Sequence, residues 1–186
     1  MRIACLGWGS LIWKPESLKI QRQWFNDGPI LPIEFTRQSK DGRLTLVITD
    51  GAKPVRVLWA LMDTNNLDEA RKSLQIREGV IEKHIDKYIG LIKLGDITDD
   101  KNQLEIMNWA KAQRLDAVIW TKLGSKFGEK EIAPTIDEAV NYLKSCNVQV
   151  MKHAEEYIRR TPRQIDTQYR QRFEKEWWSQ VSNATN

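Results

Sequence analysis

The chain begins with Met1-Arg-Ile-Ala-Cys-Leu-Gly-Trp-Gly-Ser-Leu-Ile-Trp13. The apolar run from Ile3 to Leu6 predicts a short buried strand, and this run stops at Gly7-Trp8-Gly9-Ser10. Two glycines around one large aromatic residue favour a turn whose backbone N–H groups point outward without obstruction. Such a turn can bind a carboxylate or an oxyanion. We therefore expect the first strand to carry a binding loop at its end.

The composition predicts one ordinary globular domain, because the 186 residues are 41% hydrophobic and 29% charged. The apolar run near the N-terminus is too short for a signal peptide or a membrane span. We therefore expect a cytoplasmic protein without a membrane partner. Cys5 and Cys146 are too few for a disulfide framework, and His84 and His153 have no ligand neighbours at metal-binding spacing. We expect no metal site.

The net charge of +4 raises the question of nucleic acid, since the basic excess lies late in the chain. Acidic residues interleave with these cations, which favours a solvated helix face of mixed charge over a nucleic-acid surface. The late cations are Arg159, Arg160, Arg163, Arg170, Arg172 and Lys175.

The first half of the chain is rich in predicted strands. Leu31 to Thr36 and Leu44 to Ile48 form a hairpin in this prediction, because Asp41-Gly42 between them is a typical tight turn. Val55 to Leu61 predicts a longer strand. Ser17 to Phe25 fits either a strand or an irregular arm. Glu34 alternates with apolar neighbours, so we expect it to face solvent.

Helices enter after residue 65. Asn66 with Glu69 three residues later resembles a capping box, and the helix should end near Gly79. Further predictions are a strand near Tyr88–Leu94, a helix from Asp100 to Gln113 and a strand from Ala117 to Trp120.

The remainder is predicted to be helical. Thr135 with Glu138 is a second capping box, and Thr161-Pro-Arg-Gln164 predicts another helix start. Apolar residues then recur every four positions, which is typical of a helix that packs on a sheet. This order of elements indicates an α+β fold. The recurring residues are Ile165, Tyr169, Phe173 and Trp177.

Glu78 is the candidate for proton transfer. It lies at the predicted C-terminal end of a helix, where the helix dipole is unfavourable for an anion and raises a carboxyl pKa unless Arg77 offsets it. A carboxyl group with a raised pKa can act as a general acid and base near neutral pH. A solvated surface glutamate that tolerates this position is the simpler interpretation of these residues alone.

Gly7-Trp-Gly-Ser-Leu11 after an N-terminal strand resembles the substrate loop of the gamma-glutamyl cyclotransferase family, which normally has Gly-Tyr-Gly-Ser there. The family continues with a strand, a helix and a catalytic glutamate before glycine. Val55 to Leu61, the helix after Asn66 and Glu78-Gly79 follow in that order. The likeness covers roughly the first half of the chain.

The resemblance implies a fold and a division of the chain. The fold would be a small mixed-sheet barrel of the gamma-glutamyl cyclotransferase type, with peripheral helices and a helical C-terminal extension. Residues 1–186 would be a single domain, in which residues 1–122 form the barrel core with the site. Residues 135–181 would form a helical part packed on that core.

The resemblance also implies an activity: conversion of a gamma-glutamyl compound to 5-oxoproline and a free amine or amino acid without a cofactor. Glu78 would be the general acid and base. Gly7, Trp8, Gly9, Ser10 and Leu11 would bind the substrate, and Arg37 is a further candidate for its carboxylate. Trp8 replaces the family's tyrosine and removes a hydroxyl group, so it puts the substrate preference in question.

A second class of function stays open. The same fold could be a non-catalytic module that binds a small acidic metabolite, a partner protein or nucleic acid. The sequence also leaves a homodimer open, because Trp177-Trp178 could be buried between two copies. The position of Glu78 discriminates between enzyme and binding module. In an enzyme it should point into a concave pocket within reach of the Gly9–Leu11 amides, whereas a Glu78 that faces bulk solvent excludes the catalytic interpretation.

Overall fold

The computed structural model describes residues 1–177, so Trp178 and the predicted helical residues 178–181 lie outside the described part. Eight strands form in residues 1–177: β1 (Ile3–Gly7), β2 (Ile30–Leu31), β3 (Ile33–Gln38), β4 (Leu44–Ile48), β5 (Val55–Arg56), β6 (Leu58–Leu61), β7 (Ile89–Lys93) and β8 (Ala117–Thr121). The same residues form six α-helices: α1 (Leu67–Arg77), α2 (Ile85–Tyr88), α3 (Lys101–Ala112), α4 (Ile136–Ser145), α5 (Val148–Arg160) and α6 (Gln168–Trp177).

The chain divides into two compact units, each built from two separate segments. Unit 1 comprises Met1–Leu31 and Arg56–Leu123, and unit 2 comprises Pro32–Val55 and the chain from Gly124 onward. The expectation of a single domain with a core over residues 1–122 stays a prediction.

Unit 1 is organised around a four-stranded sheet in the order β6-β1-β8-β7. Strand β1 is antiparallel to β6 and parallel to β8, and β7 is antiparallel to β8, so the sheet is mixed. All five residues of β1 are buried because the strand has a neighbour on each side and apolar contacts on its faces. Cys5 is completely buried within this core, as its place in an apolar run predicts.

Helix α1 packs against this sheet, and its two ends follow the predicted signals. The Asn66 side chain accepts a hydrogen bond from the Glu69 N–H at 3.0 Å. Glu69 does not complete the capping box, because its carboxylate pairs with Thr64 and Lys19 instead. Gly79 has a φ of +63°, the left-handed conformation that ends helices, so the chain turns directly after Glu78.

Unit 2 contains the predicted hairpin. Strands β3 and β4 pair antiparallel, and Gly42 in the turn has a φ of +86°, which explains why glycine is needed there. The α4 capping box is complete, with the Thr135 side chain and the Glu138 carboxylate each accepting from the other's backbone. Phe35 of β3 packs edge-to-face on Phe173 of α6, with ring centroids 5.8 Å apart.

The α+β class is confirmed, but a closed barrel is not formed by the strands of residues 1–177. The four-stranded sheet of unit 1 is open, with β6 and β7 at its edges, and β3 and β4 form a separate two-stranded sheet. The predicted strand Val55 to Leu61 is interrupted at Val57, whose N–H turns away to donate to Pro29 O at 3.0 Å. Ser17 to Phe25 is an irregular arm.

Two predictions for unit 2 were wrong. Glu34 does not face solvent: it is 3% exposed, because the start of α6 covers that face of β3. No helix starts at Thr161, because Thr161 ends α5 and its hydroxyl donates back to Tyr157 O at 2.9 Å. The last helix instead begins at Gln168, and the start of α5 was not predicted.

A membrane span was also sought in the part of the chain that the structure describes. None of the helices there combines the length and the apolar character that crossing a bilayer requires.

Candidate active site

The loop that follows β1 is tightly folded inside unit 1. The Ile12 N–H donates to Gly9 O at 3.0 Å, and the Lys14 N–H donates to Ser10 O at 2.8 Å. Gly7 must be a glycine, since a Cβ atom there would lie 2.5 Å from a ring atom of Trp24. The loop conformation is therefore fixed by turn hydrogen bonds and by close packing against the Trp24 ring.

Three successive backbone amides of this loop have no hydrogen-bond acceptor among the described residues. Within residues 1–177, no acceptor takes the N–H groups of Gly9, Ser10 or Leu11. Gly9 and Leu11 are nevertheless buried residues, and buried backbone donors are nearly always paired in proteins. Successive N–H groups without acceptors form a concavity that suits an anion. Binding of an anion by this loop stays a prediction.

Glu78 lies next to this loop through its neighbour Arg77. The Glu78 side chain is 14% exposed, and its Oε1 accepts from Arg77 Nη1 at 2.8 Å. Arg77 Nη2 in turn donates to Ser10 Oγ at 3.2 Å. One guanidinium thus connects the glutamate to the loop, and Glu78 is not in bulk solvent.

Burial raises the pKa of the Glu78 carboxyl, while the charge and hydrogen bond of Arg77 lower it and the charge of Glu16 raises it further. The net direction is upward, as its position at a helix end predicts, although burial rather than the helix dipole is the main cause. The Cys5 thiol is close enough to be affected: burial raises its pKa, and the Glu78 charge adds to that effect. Cys5 is therefore a neutral thiol in the core near Glu78.

Two of the predicted binding residues have structural roles. Trp8 is 6% exposed and Leu11 is 5% exposed, so both side chains pack in the interior. The Leu11 side chain belongs to the core cluster of unit 1. Only their backbones are available to a ligand. Ser10 is half-buried, and its hydroxyl accepts from Arg77, which leaves the hydroxyl hydrogen free to be donated.

Arg37 belongs to unit 2, whereas the loop and Glu78 belong to unit 1. Its Nη1 donates to Gly124 O at 2.8 Å, where the chain after Gly124 runs alongside β3. The structure thus gives Arg37 a local contact within unit 2, and a role in binding the substrate stays a prediction.

Sequence reasoning missed the contacts of Arg77 with the loop. Arg77 enters the prediction only as a charge that offsets Glu78, yet its Nε and Nη2 both donate to Lys14 O, at 3.2 and 2.8 Å. The signal that could have suggested this is an arginine directly before the glutamate, at the end of a helix that follows the loop strand.

An open hollow of about 490 Å³ lies at the other end of β1, lined by Met1, Arg2, Gln21 and Asp63 among others. It does not include the glycine loop or Glu78. In residues 1–177, no group of three or more His, Cys, Asp or Glu residues lies where it could bind a metal ion.

Comparisons with known proteins add little. No protein-family model matches the chain, and no curated protein matches it in sequence. The chain is similar to a crystal structure of a gamma-glutamyl cyclotransferase specific to glutathione from yeast, at 15% identity and a TM-score of 0.49, over 92% of this chain and 95% of that one. A likeness at this level says nothing about what this chain acts on.

Proposed function

We propose that the chain is a cofactor-free enzyme of the gamma-glutamyl cyclotransferase type. The proposal rests on two features that Arg77 connects. One is the set of three amides without acceptors, on Gly9, Ser10 and Leu11, and the other is the shielded Glu78 carboxyl group, whose pKa is raised by burial. This combination offers one site for a negative charge and one group that can accept and return a proton.

The reaction would be an intramolecular aminolysis. Glu78 takes a proton from the alpha-ammonium group, and the freed amine attacks the gamma-carbonyl carbon to form the ring C–N bond. The loop amides stabilise the oxyanion of the tetrahedral intermediate. The ring nitrogen loses its second proton to solvent. Glu78 returns the first proton to the leaving nitrogen, the original C–N bond breaks, and 5-oxoproline and an amine are released. Because both reacting groups belong to one molecule, the site needs to fold the substrate and transfer protons between its two nitrogens.

The first test is Glu78→Gln. The glutamine keeps the shape and an oxygen for Arg77, but it cannot take a proton. We expect a folded protein whose rate of 5-oxoproline release from gamma-glutamyl compounds falls by about 10²–10⁴-fold. The panel should contain a gamma-glutamyl amino acid, a gamma-glutamyl amine and glutathione, since the loop and Glu78 would contact only the gamma-glutamyl half.

Glu82→Gln is the matched control, because Glu82 is an exposed glutamate four residues away on a short helical turn. It should keep wild-type turnover. Full activity in Glu78→Gln would remove Glu78 from the mechanism.

A second candidate is a module that binds a small carboxylate without turnover. The ion pair between Arg77 and Glu78 favours it, because a glutamate held at 2.8 Å by an arginine can be purely structural. In this case the wild type binds gamma-glutamyl compounds in calorimetry but releases no 5-oxoproline, and Glu78→Gln binds them equally well.

A further inference from the structure

The Arg77 side chain makes contacts in three directions from a nearly buried position. It is 10% exposed. Its Nε and Nη2 donate to the backbone oxygen of Lys14, its Nη2 also donates to Ser10 Oγ, and its Nη1 donates to Glu78 Oε1. All the nitrogens of the guanidinium are therefore in use within unit 1.

The two loop contacts of Arg77 lie at the two ends of the Ser10–Lys14 turn, which carries two of the three amides without acceptors. Ser10 and Lys14 are joined by the hydrogen bond from Lys14 N–H to Ser10 O at 2.8 Å. Arg77 binds the side chain of the first residue and the carbonyl of the last. A planar guanidinium with donors in a fixed fork can hold such points at set distances, whereas a lysine ammonium is a single point charge on a flexible stem.

We propose that Arg77 is a positioning residue that holds the loop amides and the Glu78 carboxylate in one fixed arrangement. This inference rests on the proposed function, because it names the residue that joins its two parts. Arg77 does not touch the reacting atoms. It acts by fixing where the oxyanion donors lie relative to the group that moves the proton.

The charged groups around Glu78 determine how the loss of Arg77 would change the pKa of the Glu78 carboxyl group. Arg77 is its cation, Glu16 is an opposing anion, and Lys14 pairs with Glu16 at 3.2 Å. The Cys5 thiol on the inner side is neutral because burial raises its pKa. Without Arg77, burial and Glu16 both act on Glu78 in the same direction, and its pKa rises further.

The experiment compares Arg77→Met and Arg77→Lys with the wild type. Arg77→Met removes the charge and the loop contacts. We expect kcat/KM to fall by about a hundredfold, since small misplacements of catalytic groups have effects of this size. The acid limb of the pH–rate profile should move to higher pH. Arg77→Lys keeps the positive charge but loses the forked donor geometry of the guanidinium. The acid limb of its pH–rate profile should therefore stay near that of the wild type, while kcat falls about tenfold.

Two spectroscopic readouts do not depend on turnover. The ¹³C resonance of the Glu78 carboxyl, assigned by its absence in Glu78→Gln, should titrate at higher pH in Arg77→Met. The amide resonances of Gly9, Ser10 and Leu11 should shift in both variants. Arg71→Lys is the matched control, because Arg71 is another shielded arginine of α1 that pairs with a carboxylate, that of Asp86. It should leave every readout unchanged.

The proposal is overturned if Arg77→Lys equals the wild type in kcat and in its loop amide spectra, because charge alone would then suffice. It is also overturned if Arg77→Met leaves the Glu78 titration and the loop amides in place. If Arg77→Met does not fold, Arg77→Lys decides. A wild type that releases no 5-oxoproline contradicts the proposed function, while the two resonance readouts still test Arg77.

Discussion

Glu34 is a buried carboxyl group that has no part in the candidate active site. Its oxygens accept from the Thr167 hydroxyl at 2.5 Å, from the Phe35 N–H at 2.9 Å and from the Tyr169 N–H at 3.3 Å. Burial raises the pKa of Glu34, and these hydrogen bonds lower it without reversing the direction. The group is thus more easily protonated in the folded chain than in the unfolded one.

This direction predicts how Glu34 links stability to pH. A carboxyl whose folded pKa is raised contributes stability that is fully present below the unfolded pKa, about 4.3, and is lost as the pH rises through the folded pKa. In Glu34→Gln this contribution is absent. We therefore expect the free energy of unfolding of the wild type, relative to Glu34→Gln, to be highest near pH 4 and to decrease towards pH 7.

Urea unfolding of both proteins across that pH range measures the difference. Glu82→Gln controls for the loss of one surface carboxyl, since Glu82 is exposed. A constant difference between wild type and Glu34→Gln would contradict the prediction.

At the residue scale, the sequence predicts features set by neighbouring residues but not contacts between residues far apart in the chain. The glycine loop and Glu78 could be predicted, because backbone freedom and helix ends leave marks on neighbouring residues. The contact of Arg77 with Ser10 joins residues 67 positions apart, and that of Glu34 with Thr167 joins residues 133 apart. Alternation along β3 predicts one solvated face, and only the presence of α6 makes that face buried.

Among the elements, the start of α6 shows what decides a helix boundary. Pro162 suits a first helical turn, but both residues at this point have other roles. Thr161 ends α5, and the Pro162 carbonyl oxygen accepts a hydrogen bond from Arg170 Nη1 at 2.8 Å. The helix begins later, where the Thr167 hydroxyl accepts from the Arg170 N–H at 3.2 Å. The contact that competes with a helix start at Pro162 comes from Arg170, which is itself a residue of α6. A pattern of four residues could therefore not distinguish a start at Pro162 from the observed start at Gln168.

Thr167→Ala should therefore destabilise the chain. It removes the cap of α6 and a hydrogen bond to the buried Glu34 carboxyl, which together contribute roughly 1–3 kcal/mol. Chemical unfolding measures the loss. Thr167→Ser keeps the hydroxyl group and should recover most of the stability, and equal stability of alanine and serine variants would contradict this role.

Elements with complete local signals were predicted correctly. The hairpin of β3 and β4 has its glycine turn, and α4 has both halves of its capping box. Helix α5 lies in the stretch predicted to be helical, but its start was not predicted although Asn147 caps it, accepting from the Val150 N–H at 3.0 Å. Its first turn contains no acidic residue to complete a box, so the signal is a single asparagine.

At the scale of the whole molecule, four of the six late cations named above are paired with acids. Four late arginines each bind a glutamate four residues away on the same helix, at 2.7–3.0 Å. These pairs are Arg159–Glu155, Arg160–Glu156, Arg170–Glu174 and Arg172–Glu176. Their positive charge is compensated locally, which disfavours a surface for a polyanion.

We therefore expect no saturable binding of duplex DNA or single-stranded RNA at an ionic strength of about 0.15 M. Any association at low salt should be non-specific and should disappear as the salt concentration rises. Fluorescence anisotropy with labelled oligonucleotides measures this, with a basic DNA-binding protein as positive control. Submicromolar affinity at the higher ionic strength would favour the nucleic-acid alternative instead. Analytical sedimentation of the same samples measures whether the chain is a monomer or the homodimer that the sequence leaves open.

The pairing of β1 with β8 has a consequence for the order of synthesis. Ile3 and Ala117 are register partners in this parallel pair. A ribosome adds about 5–20 residues per second, so the apolar β1 is made roughly 6–23 seconds before β8. During this interval β1 can pair with β6 on one edge, while its other edge has no partner strand. The glycine loop and Glu78 are therefore both synthesised before the sheet beneath them can be completed.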